Sequence, residues 1–289
     1  MDYGLCLPNF RAGSSTEGID AAAETAERLG WSTVWTTDHV LIDRANADDY
    51  GRIYEAILTL AWVGAHHQKV RLGTSVIVMP MRNAVVVAKE LATLDALTNG
   101  RVICGLGIGW NEPEYRNVGV AERFRQRGAY LEESIRLFRH LWSGSTEPFR
   151  GRFHTFDDFA FEPLPAQGAN LPIVIGGGAA AALERIGRLA DGYHSTAIGP
   201  AAYTERAATI RAAAAAAGRP DLSWSARVRV EMDGPAGRRY ALRGSPDEMA
   251  AEIRAWAAAG VGHLALYFDE TDPDKLIGLV DRFATEVGA

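Results

Sequence analysis

Asp38 and His39 stand side by side where an apolar run ends. A histidine titrates near neutrality, so the pair suits general acid–base work; it equally suits a structural hydrogen bond closing a strand end. Gly176, Gly177 and Gly178 lie between the run Ile173–Ile175 and a helix-period stretch from Ala179. Glycine lets backbone N–H groups approach a ligand closely, and a helix start adds unsatisfied donors and a positive dipole end. The triplet is therefore a phosphate-type anion site or a tight turn. Gly105-Leu106-Gly107-Ile108-Gly109-Trp110 has G-x-G-x-G spacing, and Pro113 keeps a helix from opening at once. That spacing disfavours a dinucleotide fingerprint. It offers a flat backbone surface for a planar ligand, or glycines for close strand packing. Ser75 is polar within an apolar run, His194 ends another run and reads as a residue behind a site, and Glu114 is either a base or a solvated first-turn helix residue.

Other chemistries find less support. The first strand ends Leu7-Pro8-Asn9-Phe10 without the histidine pair of a zinc barrel, and His66 and His67, adjacent on a helix, point apart. No G-x-S-x-G nucleophile elbow occurs. Cys6 and Cys104 sit in strand-like runs and read as buried thiols. The formal charge is −6 with no basic stripe, which argues against nucleic acid as a partner. No stretch approaches the ~18 apolar residues of a membrane span, and no basic segment precedes an apolar core at the N-terminus, so a cytoplasmic location is expected.

The elements that must position these residues alternate in type. Strand-like runs at Tyr3–Leu7, Thr33–Thr37, Arg71–Val78, Val102–Leu106, Ile173–Ile175, Gly192–Ser195, Ser225–Met232 and Leu264–Phe268 are each followed by a helix-period segment. The helical segments are Ile19–Leu29, Tyr54–His66, Ala84–Leu97, Arg127–Trp142, Ala179–Leu189, Ala201–Ala217, Pro246–Ala259 and Pro273–Val287. In the fourth of these, Leu131, Ile135, Phe138 and Trp142 form one apolar stripe. In the seventh, Ser245, Pro246 and Glu248 make a capping box with proline at N1. Eight strand–helix units in 289 residues predict a single α/β domain, 1–289, closed as a (β/α)8 TIM barrel. Catalytic residues in such barrels come from the C-terminal ends of the strands. Three connections are long: His39–Ile53, Ser143–Pro172 with a β-like patch at Arg152–Phe161, and Asp233–Gly244. The first and third follow strands, lie on the catalytic face and could serve as lids.

At these residues the chain resembles the luciferase-like monooxygenase superfamily, with its nearest look to the coenzyme F420 (deazaflavin) branch. The resemblance runs over nearly the whole chain: Leu29-Gly30-Trp31 to Trp35 before Asp38-His39, Arg71-Leu72-Gly73-Thr74, Gly107-Ile108-Gly109-Trp110 then Glu114, Arg127-Gly128, and Pro172-Ile173 before the glycine triplet and Asp191-Gly192. It implies a deazaflavin ring across the barrel mouth, with Asp38 and His39 approaching its reactive face. It implies that Ser75-Val76 is a non-prolyl cis peptide bulging against the ring. Gly107, Gly109 and Trp110 would flank the ring and its ribityl chain, and Gly176, Gly177 and Gly178 with Thr196 would hold the phosphate. It also implies a homodimer. The chain departs from the family at Tyr193, where Trp is common, and at Trp110, which stands where some sugar-phosphate dehydrogenases carry a catalytic Glu.

Three functions follow as expectations. The first is an oxidoreductase moving a hydride between coenzyme F420 and a small organic substrate, with His39 handling a proton and with Arg44, Arg238 and Arg239 as candidate partners of the coenzyme's acidic tail. The second is a flavin mononucleotide (FMN) monooxygenase using molecular oxygen, which needs only the glycine site. The third is a cofactor-binding barrel without turnover. Phe10, Met79, Trp110 and Phe268 near the strand ends predict a roomy, partly apolar pocket.

Overall fold

The computed structural model describes residues 1–219, 222–232 and 239–288. Eight strands, β1 (Asp2–Cys6), β2 (Thr33–Thr36), β3 (Arg71–Thr74), β4 (Val102–Gly107), β5 (Ile173–Ile175), β6 (Gly192–Thr196), β7 (Ser223–Glu231) and β8 (His263–Phe268), pair in parallel with their sequence neighbours. Pairing of β8 with β1, Leu5 opposite Leu266, closes the ring into the expected (β/α)8 barrel. No edge strand is left in the ring, and the helices between the strands cover its outside.

Among the described residues three apolar clusters form, and two of them hold the barrel's shape. The larger lies between barrel and helices and takes in Leu131, Ile135, Phe138 and Trp142, the stripe read from the sequence. The smaller fills the barrel itself around Cys6, Trp35, Val174 and Ala265. Trp35 is the plug. A Cβ on Gly73 would lie 2.3 Å from its ring and one on Gly4 would lie 2.8 Å from its Nε1, so both strands carry glycine to admit the indole. Trp35 Nε1 donates to His263 Nε2 (3.1 Å), and His263 faces Asp2 (3.0 Å) at the closed end.

Most helices keep the predicted bounds to within a few residues, and Ser245 with Glu248 forms the capping box in full. Three features differ. The run Arg71–Val78 is not one strand: it breaks at Ser75–Val76 and resumes as Ile77–Val78 against Leu106–Gly107. The β-like patch pairs Phe149–Arg150 with Thr155–Phe156, earlier and shorter than Arg152–Phe161. Glu133 sets that hairpin's turn by accepting the N–H groups of Phe153 (2.9 Å) and His154 (2.8 Å). The last helix, read as reaching Val287, ends at Phe283 and continues as a π turn, Ala284–Gly288. Pro220, Arg238 and the first half of the connection Asp233–Gly244 lie outside the described residues.

Candidate active site

Seen from the open end, the dominant feature is the break after β3. The Ser75–Val76 peptide is cis. The chain around it is gripped on every side. Ser75 N–H donates to Thr36 O (2.7 Å), and its carbonyl accepts from Arg227 Nη1 (3.1 Å). Val78 N–H donates to Asp38 Oδ2 (2.8 Å). Val76 presses toward β4, where a Cβ on Gly107 would come within 2.5 Å of Val76 Cγ2. Gly107 is thus glycine because the bulge occupies its side-chain space. Gly109 has φ of 65°, and a Cβ there would lie 2.6 Å from Val78.

Beneath the bulge, hydrogen-bond logic fixes a tautomer. Ser225 Oγ donates to Tyr193 O (3.1 Å), so it accepts from His194 Nδ1 (2.8 Å), and Nε2 is left to accept the Ser75 hydroxyl (2.9 Å). Burial, with the nearby His263 and Arg227 charges, pushes His194 down to about 3, so it is neutral in ordinary buffers. His194 also stacks on Trp35, with ring centroids 4.5 Å apart. It stands behind Ser75, as a residue supporting the site.

Asp38 and His39 point to different partners. The Asp38 carboxylate is fully covered, held by Val78 N–H and by Arg82 Nη2 (2.6 Å), which also reaches Glu55 (2.9 Å). His39 turns to Glu114: Nδ1 lies 2.8 Å from Oε2, while Val40 N–H donates to Oε1 (2.6 Å). With Nδ1–H donated to Glu114, the neutral form of the imidazole has its free lone pair on Nε2. Glu114 is buried, not solvated, in the helix Glu112–Asn117, whose N-cap Asn111 accepts its N–H (2.9 Å). Tyr50, from the connection after β2, packs 4.3 Å from the His39 ring, and Trp110 lies edge-on at 6.0 Å.

These groups surround a mouth cavity of about 300 Å³. Asp38, His39, Ser75, Val76, Gly107, Gly109, Trp110, Gly176, Gly177 and Thr196 all line it, together with Tyr50, His194 and Arg227. Gly178 stands just outside. A Cβ on it would lie 2.5 Å from the guanidinium of Arg206, which reaches Tyr193 Oη (3.4 Å); that hydroxyl donates to Gly177 O (3.0 Å). The helix that follows, Ala180–Leu189, has no side-chain cap, so its first N–H groups remain available beside an arginine. A smaller cavity adjoins the mouth and shares Tyr50, Thr196 and Arg227 with it. Arg239 lines this smaller cavity, whereas Arg44 is exposed and lines neither. Of the residues proposed for an apolar pocket, Phe10 lines the smaller cavity and Trp110 the mouth, while Met79 and Phe268 are buried in the core.

Sequence reasoning passed over Arg227, Arg82, Arg206 and Tyr50. For Arg227 a signal existed. In β7 the residues Ser225, Arg227, Arg229 and Glu231 alternate with buried Ala226, Val228 and Val230, a two-residue period that turns polar groups into the barrel. Arg82, Arg206 and Tyr50 meet the site only through tertiary packing.

Comparison with known proteins agrees with this architecture. An F420-dependent glucose-6-phosphate dehydrogenase of Kineococcus radiotolerans is 36% identical over 60% of this chain and 50% of that protein, so the chain spans half the length of this relative. The enzyme of the same name from Rhodococcus erythropolis is 27% identical over 90% of both chains. Among solved structures, an F420-dependent secondary alcohol dehydrogenase superposes with a TM-score of 0.82 at 20% identity, covering 99% of this chain and 98% of that one. The oxygenating constituent of 3,6-diketocamphane monooxygenase from Pseudomonas putida, in complex with FMN, superposes at 0.81 and 17% identity, again covering 99% and 98%. The luciferase-like monooxygenase profile matches residues 1–233, and the chain belongs to that family.

Proposed function

We propose that this enzyme is an oxidoreductase that moves a hydride between coenzyme F420 and a small organic substrate, within one domain, 1–289. The observation that carries the reading is the mouth cavity: a backbone bulge on one wall, an open glycine cradle at one end, and a buried histidine–carboxylate pair opposite. Relatives named for F420 support the choice of cofactor.

The residues present fit a planar ring with a phosphate-bearing chain. When bound, the deazaflavin would supply the carbon that gives or takes the hydride. Ser75 and Val76 would form the shelf for the ring, Gly107 and Gly109 would leave room along its edge, and Trp110 would flank it from the rim of the mouth. Gly176, Gly177 and Gly178, with Thr196, form the phosphate cradle. His39 Nε2 takes a proton from, or returns one to, the substrate oxygen, and Glu114 holds the imidazole in the tautomer that this requires. Asp38 acts as a positioning residue, because its carboxylate is committed to Val78 and Arg82.

An FMN monooxygenase is the second reading, since the cradle alone suits a short phosphate-ended cofactor and an FMN enzyme shares the fold. Fluorescence titration with each cofactor separates the two. Preference for coenzyme F420 by about tenfold or more, about 1.4 kcal/mol, is expected; preference for FMN would transfer the assignment to the monooxygenase.

A further inference from the structure

The smaller cavity, of about 120 Å³, runs from Thr196 after β6, past Arg227 and Arg229 of β7, to Tyr267 of β8 and Phe10 after β1. It therefore begins beside the glycine cradle, with which it shares Thr196, and runs from there toward β8 and β1. Among the described residues its wall carries four guanidinium groups, Arg11, Arg227, Arg229 and Arg239, against one carboxylate, Asp49. Arg11 is neutralised by Asp49 (2.9 Å) and Asp269 (2.7 Å), and Arg229 by Asp269 (2.6 Å) and Glu231 (3.1 Å). Arg227 is different. It lies over the rings of Tyr267 (4.9 Å) and Phe10 (5.7 Å) and gives one N–H to the Ser75 carbonyl, but none of the ion pairs among the described residues involves it. A partly buried guanidinium with no ion-pair partner among the described residues, facing both cavities, is a ready partner for a planar oxyanion.

The opposite side of the mouth has the reverse character. Trp110 is 56% exposed, and Leu41 (56%) and Val40 (49%) add an apolar rim beside it. Tyr50 belongs to both cavities and joins the two regions. Aromatic faces standing in water gain by covering a flat apolar ligand.

From this juxtaposition we infer that the substrate is a small planar acid, its carboxylate on Arg227 in the side cavity and its apolar body across the mouth against Tyr50 and Trp110. The inference names the substrate class of the oxidoreductase proposed above and rests on that reading. The side cavity is smaller than the ~150 Å³ hole that holds benzene, so it admits a carboxylate and its point of attachment. A sugar phosphate would leave the indole and the apolar rim uncovered. The coenzyme's own acidic tail carries the same chemistry and starts from the phosphate, so the test below separates the two.

The test titrates the coenzyme-loaded protein with cinnamate, cinnamamide and glucose 6-phosphate, following coenzyme fluorescence, and repeats the series by calorimetry without coenzyme. Cinnamate is expected to bind at least about tenfold more tightly than its amide or the sugar phosphate. Arg227→Gln should abolish that preference, and Arg227→Lys should restore part of it. Equal binding of acid and amide, or tighter binding of glucose 6-phosphate, would overturn the inference. So would an Arg239→Ala variant that loses coenzyme affinity while cinnamate fails to bind the wild type, which would give the cavity to the tail. Arg227-dependent cinnamate binding to a protein that takes up no coenzyme would keep the acid site and remove the oxidoreductase reading.

Discussion

At the scale of residues, His39 and Glu114 share one task although 75 positions separate them. The imidazole meets the cavity and the carboxylate fixes which nitrogen carries the proton. Replacing His39 by Asn should lower turnover by roughly 10²–10⁴-fold with cofactor binding retained. Glu114→Gln should lower it less and shift the pH profile, because a neutral amide no longer favours a protonated Nδ1. Steady-state rates across pH check both. An unchanged profile in Glu114→Gln would reduce that residue to a helix-end anchor. His194 carries a different pH signature. Its folded-state value, about 3, lies below its ordinary 6.5, so between those limits the unfolded chain binds more protons than the folded one. Its contribution to stability is full above pH 6.5 and is lost as pH falls toward 3, at up to about 1.4 kcal/mol per pH unit. Urea midpoints at pH 7 and pH 5 should therefore diverge more in the wild type than in His194→Gln, whatever the variant's absolute stability; parallel losses would contradict the account. Much of the site was legible because chemistry concentrates at strand ends, where Asp38-His39, Ser75 and the glycine runs stand. Glu114 read two ways in the sequence, since first-turn acids on exposed and buried helices look alike until a partner arrives.

At the scale of elements, the bulge after β3 depends on a clamp from β2 and the turn beyond. Asp38 is covered completely, so Arg82→Ala would strand a buried carboxylate and should cost about 3–5 kcal/mol. Asp38→Asn, which keeps an acceptor for Val78 N–H, should cost less; denaturant unfolding of the two variants gives the order, and a mild Arg82→Ala would show that water already reaches the pair. The strands themselves were legible from apolar runs of β-type residues, and the helices from their period and caps. The break within Arg71–Val78 was not readable from the run, because Ile77 and Val78 continue the apolar pattern past it; only the family resemblance pointed to it. The hairpin at Phe149–Phe156 was misplaced for a related reason: Glu133, on the preceding helix Arg127–Trp142, fixes its turn through contacts made only in the folded chain.

At the scale of the whole molecule, eight repeated units predict closure, and closure is what brings Arg227 of β7, Ser75 beyond β3 and His39 beyond β2 to one opening. Assembly was not readable, since exposure is a property of the folded surface. Leu58 (71% exposed) and Trp62 (47%) lie one turn apart on the helix Ala56–His66, and Val86 (52%) opens the helix Ala84–Leu97. A homodimer through this face is proposed, and Leu58→Glu with Trp62→Glu should halve the mass seen in sedimentation; a wild-type monomer would remove the proposal. The central claim is that a phosphate-bearing deazaflavin lies across the mouth with its phosphate on Gly176–Gly178. Its most direct test is fluorescence titration of the wild type and Gly177→Asp with coenzyme F420. Tight binding by the wild type, lost in the variant whose carboxylate repels the phosphate, is the expected result; equal affinity in both would contradict the placement of the cofactor.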